Sequence, residues 1–522
     1  MTRLYHSIDC DFPRPVDSGK PGSAPFRHPV TQSVRQLTIT NTLSNKRKST
    51  YNRRSGAPDA VSANGFVEEI LDKVPAGRLT AFAFLHQAPL IPKVLDLLVQ
   101  RHEKTLQHLR VGEFDSWKGD TPIPKSLTGF ECRTVGEGEG IEKIIAENKK
   151  TLQKLKLGQE RHLIDKYQQA RADGLDQIPQ PRDSLFMAAL HLEDFISLQE
   201  LSLHGLNVAR LRPASVPEAL VFCRLDRLTL ESCPGSAEFL DLIANTFDWT
   251  LHSSEGPQTP RVTPSLKHFL FRHENPTVAI KNSIIRFVNS FNGLHTLSLL
   301  FENGAILEPP STFIANHGPT MHTLVLESRI QPREHLGLDT SRPFGAGGYS
   351  QELWVESIND IARLCPNLVE LGMGFPWNDE IVRLRKTALP ALQHLKTIHI
   401  RNFPENHVFS QLGDYSIKEY ATKFIEWVFP ALVGGSRPSL DQLAIGPTLY
   451  ESRWKVLPSS SPGIALRRQP PEFLRTHYFC LDWAKTRFGR WSPLITPVSE
   501  KFMEELAGTR PLGGVYEQVW LR

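Results

Sequence analysis

Apolar and polar residues alternate in a six-residue block, L-x-x-L-x-L, that recurs along the chain. Clear copies start at Leu106, Leu152, Leu198, Leu225, Leu294, Met321, Leu368 and Leu440. Looser copies start at Val34, Leu79, Leu127, Leu266 and Leu395. Alternation at the fourth and sixth positions predicts a short half-buried strand. Between blocks the period becomes helical, at 90–99, 141–145, 280–291, 358–364 and 424–428. Seven of the twelve gaps between starts are 21 to 28 residues, and the other five are 41 to 47. The longer gaps predict one repeat with an insertion, and long loops are expected at 45–60, 159–182, 251–264 and 330–350.

One strand and one helix cannot bury their apolar faces alone, whereas stacked copies can. The expected fold is therefore an α/β solenoid with a curved parallel sheet on the concave face and helices on the convex face. Residues 31–450 form it in this reading. Residues 1–30 carry five prolines and predict a disordered arm or an irregular cover over the first repeat. Residues 451–522 predict a linker and an aromatic cap built on Phe473, Tyr478, Phe479, Trp483, Phe488 and Trp491. Aromatic residues also mark interfaces, so a protein-docking segment is the alternative for this stretch.

Composition changes the picture in a few places. At 522 residues the chain is too long for one ordinary core, a limit that a solenoid escapes by growing along one axis. Net charge is +4, but residues 1–60 hold ten basic and four acidic side chains, which leaves the repeats slightly acidic. Nucleic acid is accordingly not an expected partner. The basic run Lys46, Arg47, Lys48, Arg53 and Arg54 reads as a nuclear-import candidate, a patch for an anionic surface, or a solvated loop. Six dispersed cysteines without a Cys-x-x-Cys pair predict reduced, mostly buried thiols. The opening residues do not read as a signal peptide and no run of about 18 apolar residues occurs, so the expected location is cytoplasmic, nuclear or both, with no membrane partner.

The third, fifth and seventh block positions should face outward from the sheet. They supply His108, Arg110, Lys154, Lys156, Glu200, His204, Arg227, Glu231, His268 and Arg272 early on. Later come Thr296, Ser298, Thr323, Val325, Glu327, Glu370, His399 and Arg401. The early set is locally basic. His108, Arg110, Lys154, Lys156, Glu200, Arg227 and Arg272 are therefore the expected contacts for a protein ligand with an acidic end. A merely solvated sheet face is the alternative. His295, His322 and His399 fall where the block calls for a polar residue, and no His-x3-His or His-Glu-x-x-His helix occurs, so no metal is expected. No Gly-x-Ser-x-Gly elbow or kinase-like set is present either, and the expectation is a non-enzyme without a cofactor.

These blocks resemble the leucine-rich-repeat superfamily. More closely they are similar to the irregular, long-insert repeats of fungal F-box/leucine-rich-repeat proteins, a likeness carried by residues 152–157 (LQKLKL) and 365–371 (CPNLVEL) and extending over 31–450. It implies a substrate-recognition subunit of a cullin-type ubiquitin ligase, with F-box helices holding an adaptor and the concave face holding the protein to be modified. This sequence departs from that pattern in two ways. A proline-rich stretch, not an F-box, precedes Val34, so an adaptor is implied only with an F-box upstream. Of the family's ninth-position ladder only Cys233 matches. Two functions stay open: such a receptor, or a scaffold or nuclear regulatory protein with no ubiquitin link.

Overall fold

A computed structural model describes residues 7–11, 34–40, 58–85, 89–114, 121–135, 139–159, 195–211, 221–252, 264–274, 276–302, 309–329, 355–375, 388–401, 416–429, 437–446, 476–499 and 502. The chain is α/β, with a mostly parallel sheet, and divides into two compact units. The first comprises residues 1–246 with 258–263, and the second 247–257 with 264–522. Most of the expected insertions, including all five residues of the basic run, lie outside the described residues.

In the first unit eight strands lie side by side in chain order, each parallel to the next. They are β1 (Ser7–Asp11), β2 (Gln36–Thr40), β3 (Ala81–Leu85), β4 (His108–Glu113), β5 (Gly129–Thr134), β6 (Lys154–Gly158), β7 (Glu200–His204) and β8 (Arg227–Glu231). Parallel neighbours need a crossover. Helix α1 (Pro58–Lys73) supplies it before β3, α2 (Pro92–His102) before β4 and α3 (Glu139–Asn148) before β6. Helix α4 (Ser236–His252) follows β8. The register superimposes the blocks, so that Leu109, Phe130, Leu155, Leu201 and Leu228 form one row across β4–β8. Val111, Cys132, Leu157, Leu203 and Leu230 form the next, and both rows are buried.

Strand β1 falls inside the arm that the sequence predicts to be disordered, yet it pairs with β2 from Ser7↔Gln36 to Asp11↔Thr40. Five residues with two apolar ones are too few for periodicity to reveal a strand.

A polar device that the leucine pattern does not announce ties successive turns together. Asn148, buried at the end of α3, accepts the Leu127 N–H through Oδ1 at 2.9 Å. Its amide nitrogen donates to the Pro124 and Ile144 carbonyls. Three residues on, the Thr151 hydroxyl donates to the Leu127 carbonyl at 2.7 Å. Helix α2 ends in the same way: His102 Nδ1 accepts the Leu79 N–H at 3.5 Å, and Thr105 donates to the Leu79 carbonyl at 2.9 Å. Replacing Asn148 with alanine strips acceptor and donors from a buried site, and the expected loss is about 1–3 kcal/mol, measured by denaturant unfolding.

The second unit repeats the plan. Strands β9 (His268–Glu274), β10 (Thr296–Glu302), β11 (Thr323–Arg329), β12 (Glu370–Met373), β13 (Thr397–Ile400) and β14 (Gln442–Ile445) are parallel and in chain order. Helices α5 (Val278–Asn289), α6 (Ser311–Ile314), α7 (Val355–Leu364) and α8 (Ile417–Val428) lie between them in sequence. Thr277 caps α5, and Ser416 with Glu419 forms a capping box at α8. The hook recurs here. His317 Nδ1 accepts the Leu294 N–H at 3.2 Å, and Thr320 donates to the Leu294 carbonyl at 2.8 Å.

At its end the direction reverses. Strands β15 (His477–Lys485) and β16 (Trp491–Val498) form a hairpin, and β15 is antiparallel to β14. Tyr478, Phe479 and Trp483 are buried. The Trp483 indole donates to the Leu440 carbonyl at 2.9 Å, and its ring meets Phe429. Phe473 lies outside the described residues.

Candidate functional site

In the first unit, the outward residues of β4–β8 make a charged face that solvent reaches at His108, Arg110, Glu131, Lys154, Lys156, Glu200 and Arg227, while Ser202 and Thr229 are buried. Register sets His108, Gly129, Lys154, Glu200 and Arg227 in one row. Arg110, Glu131, Lys156, Ser202 and Thr229 make the next. Opposite charges on adjacent strands pair directly. Arg110 Nε lies 2.5 Å from Glu131 Oε1, and Arg133 Nε lies 3.9 Å from the same oxygen. Lys156 Nζ lies 3.0 Å and Lys154 Nζ 3.5 Å from Glu200. His204 Nδ1 lies 3.3 Å from Glu231. Burial alone would raise the Glu200 carboxyl, but Lys156, Lys154 and Arg227 outweigh it and hold the group below its ordinary value. The Lys154 side chain is still 57% exposed.

Of the seven expected contacts, His108, Arg110, Lys154, Lys156, Glu200 and Arg227 therefore come together on one face of the first unit. Glu131 and Arg133 belong with them and the sequence reading passed them over. They hold the fifth and seventh positions of the loose block at Leu127, where Phe130 and Cys132 replace the usual leucines.

The second unit corrects the expectation of an open face. Arg272, the seventh expected contact, is only 5% exposed. Thr296, Ser298, Thr323, Val325, Glu327, Glu370, His399 and Arg401 are buried as well. Several of their polar groups find partners within the protein instead of water. Arg401, with 0% exposure, forms an ion pair with Glu327, two strands away. On β12, level with Val325 and His399, Gly372 leaves room for the arginine: an added Cβ would come 3.3 Å from Val325 and 3.6 Å from Arg401 Cδ. His399 Nδ1 accepts from Arg401 Nη1 at 3.3 Å, and its Nε2 donates to the Gly446 carbonyl at 2.7 Å. Thr397 donates to Gln442 at 3.2 Å. Alternation placed these residues on the correct side of the sheet; only their access to solvent differs.

Four buried thiols offer little chemistry. Burial pushes Cys132, Cys233 and Cys365 up to about 12 and Cys223 up to about 11, far from thiolate formation at neutral pH. Rings of His268, at the start of β9, His295, just before β10, and His322, just before β11, follow one another with centroids 6.4 and 5.1 Å apart. Among the described residues no group of three or more His, Cys, Asp or Glu side chains could hold a metal ion. No described helix is long and apolar enough to cross a membrane. Neither a protein-family model nor a curated protein matches the chain.

Proposed function

We propose that the chain is a leucine-rich-repeat solenoid that binds protein without catalysing a reaction, and that it does so through the strand face of its first unit. The observation that carries this reading is the arrangement of charge on β4–β7. Glu131 is shared by Arg110 and Arg133, and Glu200 by Lys154 and Lys156. Each carboxylate is outnumbered by its cations, so an incoming acidic segment meets surplus positive charge. The pairs also hold the long side chains in place, which lowers the entropy lost on binding. The buried face in the second unit supports confining the docking to the first. The partner in this reading is a protein delivered to a cullin-type ubiquitin ligase, with this chain as its receptor.

The test is affinity purification with mass spectrometry under proteasome inhibition. Lys154→Glu with Lys156→Glu should lower partner recovery by about tenfold or more, as expected for reversed charges at a complementary interface. Lys143→Glu with Lys149→Glu, on or next to helix α3, should change it little. Equal losses from both pairs would remove the strand face from the proposal. Co-purification of an adaptor and a cullin supports the receptor role; a partner recovered without them leaves a scaffold.

A further inference from the structure

The loop of the β15–β16 hairpin is built rigidly from its own sequence. Gly489 N–H donates to the Thr486 carbonyl at 2.9 Å, and Thr486 N–H donates to the Arg490 carbonyl at 2.7 Å. Arg490 N–H also donates to the Thr486 hydroxyl at 3.2 Å. Gly489 has φ +74°, a left-handed conformation that closes such a three-residue loop. The turn therefore holds Arg487 and Phe488 at its apex.

The tip overhangs the core. Leu481, Trp483 and Ile495 point to the inner side of the hairpin and are buried. Lys485 and Trp491 share their parity and pair as the last rung, yet Lys485 is exposed and Trp491 half-buried. Phe488 is 68% exposed, an unusual state for a phenylalanine. Lys485, Arg487 and Arg490 flank it in sequence, and residues 485–491 contain no acid.

We propose that this tip docks on an anionic phospholipid surface. An exposed aromatic on a turn that carries three cations and no acid combines the two signals that peripheral membrane contact requires, apolar insertion and attraction to acidic headgroups. A turn offers no pocket for a ligand side chain, whereas a bilayer interface accepts a convex apex. Stacking of nucleic-acid bases is disfavoured because the rings already carry cations. The Arg487 guanidinium lies 4.7 Å from the Phe488 centroid, and Lys485 Nζ lies 5.9 Å from that of Trp491. The expectation of no membrane partner rested on the lack of an apolar span, and a hairpin tip needs none. Insertion is shallow, because the exposed Asp482 opposite Leu494 sets a limit three rungs from the tip.

The full chain is mixed with phosphatidylcholine vesicles, with or without about 30% phosphatidylserine, and sedimented. Binding is expected only with the anionic lipid and should weaken as salt rises. Arg487→Gln with Arg490→Gln should weaken it about 25-fold, at about fivefold per cation. Phe488→Ser should weaken it about tenfold. These side chains are exposed, so the melting transition should stay in place. Lys154→Glu with Lys156→Glu should bind vesicles as the unaltered chain does, which separates this proposal from the protein-docking reading. The proposal is overturned by no binding to anionic vesicles, by equal binding to neutral ones, or by tip variants that bind unchanged. Tip-dependent binding of an acidic peptide or an oligonucleotide without vesicle binding overturns it as well.

Discussion

Arg401→Ala should destabilise the second unit by about 3–5 kcal/mol, the usual cost of removing one partner from a buried ion pair. Arg401 and Glu327 are both closed off from solvent, so the carboxylate left behind cannot recover the lost interaction from bulk water. The loss spreads through the cluster. His399 Nδ1 also loses a donor, although its Nε2 keeps the Gly446 carbonyl. Glu327→Gln should be milder, because the amide oxygen still accepts from the guanidinium. The informative variant is the double one, Arg401→Met with Glu327→Leu. Apolar residues of similar volume can replace a buried pair at little cost, so it should recover most of the stability lost by Arg401→Ala. Urea unfolding followed by circular dichroism measures all three. Arg401→Ala within about 1 kcal/mol of the unaltered protein would show that the pair contributes little.

That cluster also marks where sequence reading stopped. The leucines at positions one, four and six were legible because burial leaves them no alternative. Once Leu109, Phe130 and Leu155 are known to share a row, the register of β4–β6 follows. Period-two alternation then assigns sides to the remaining residues, but it carries no information on what covers a side. Thr296, His399 and Arg401 look the same in sequence as Lys154 and Arg110, since a polar side chain suits either water or a buried partner. The direction of β15 was hidden for a related reason, as alternation is identical in parallel and antiparallel strands. Glu131 was available in principle, at the fifth position of a block whose leucines are replaced. So were the hooks: His102-Glu-Lys-Thr105-Leu106, Asn148-Lys-Lys-Thr151-Leu152 and His317-Gly-Pro-Thr320-Met321 share one spacing ahead of three blocks.

Two of those hooks titrate, and the protein should lose stability in mild acid because of them. Burial, helped by Arg101, pushes the His102 imidazole down to about 4. Burial also lowers His317, against the opposing pull of the Val288 carbonyl. In each ring Nδ1 must be unprotonated to accept a leucine N–H. His317 Nε2 donates to Val288 at 2.8 Å, while His102 Nε2 is buried with no hydrogen-bond partner. An unfolded histidine takes up its proton near pH 6.5, and folded His102 resists until about pH 4. The unfolded state thus binds more protons in that window. The contribution is complete above about pH 6.5 and falls as pH drops toward 4. For His102 the loss reaches about 3 kcal/mol, at 1.36 kcal/mol per pKa unit. Carboxylates held low, such as Glu200, act in the same direction but only at pH values near and below their ordinary 4.5. Asn148 supplies the control, since it makes the same hook without a titratable group. His102→Asn with His317→Asn should reduce the dependence of the urea midpoint on pH between about 6.5 and 4.5, whatever it does to stability at pH 7, with His108, also lowered by burial, keeping part of the slope. Each single variant should reduce it for the transition of its own unit. A double variant that keeps the full slope would place the acid sensitivity elsewhere than in these two rings.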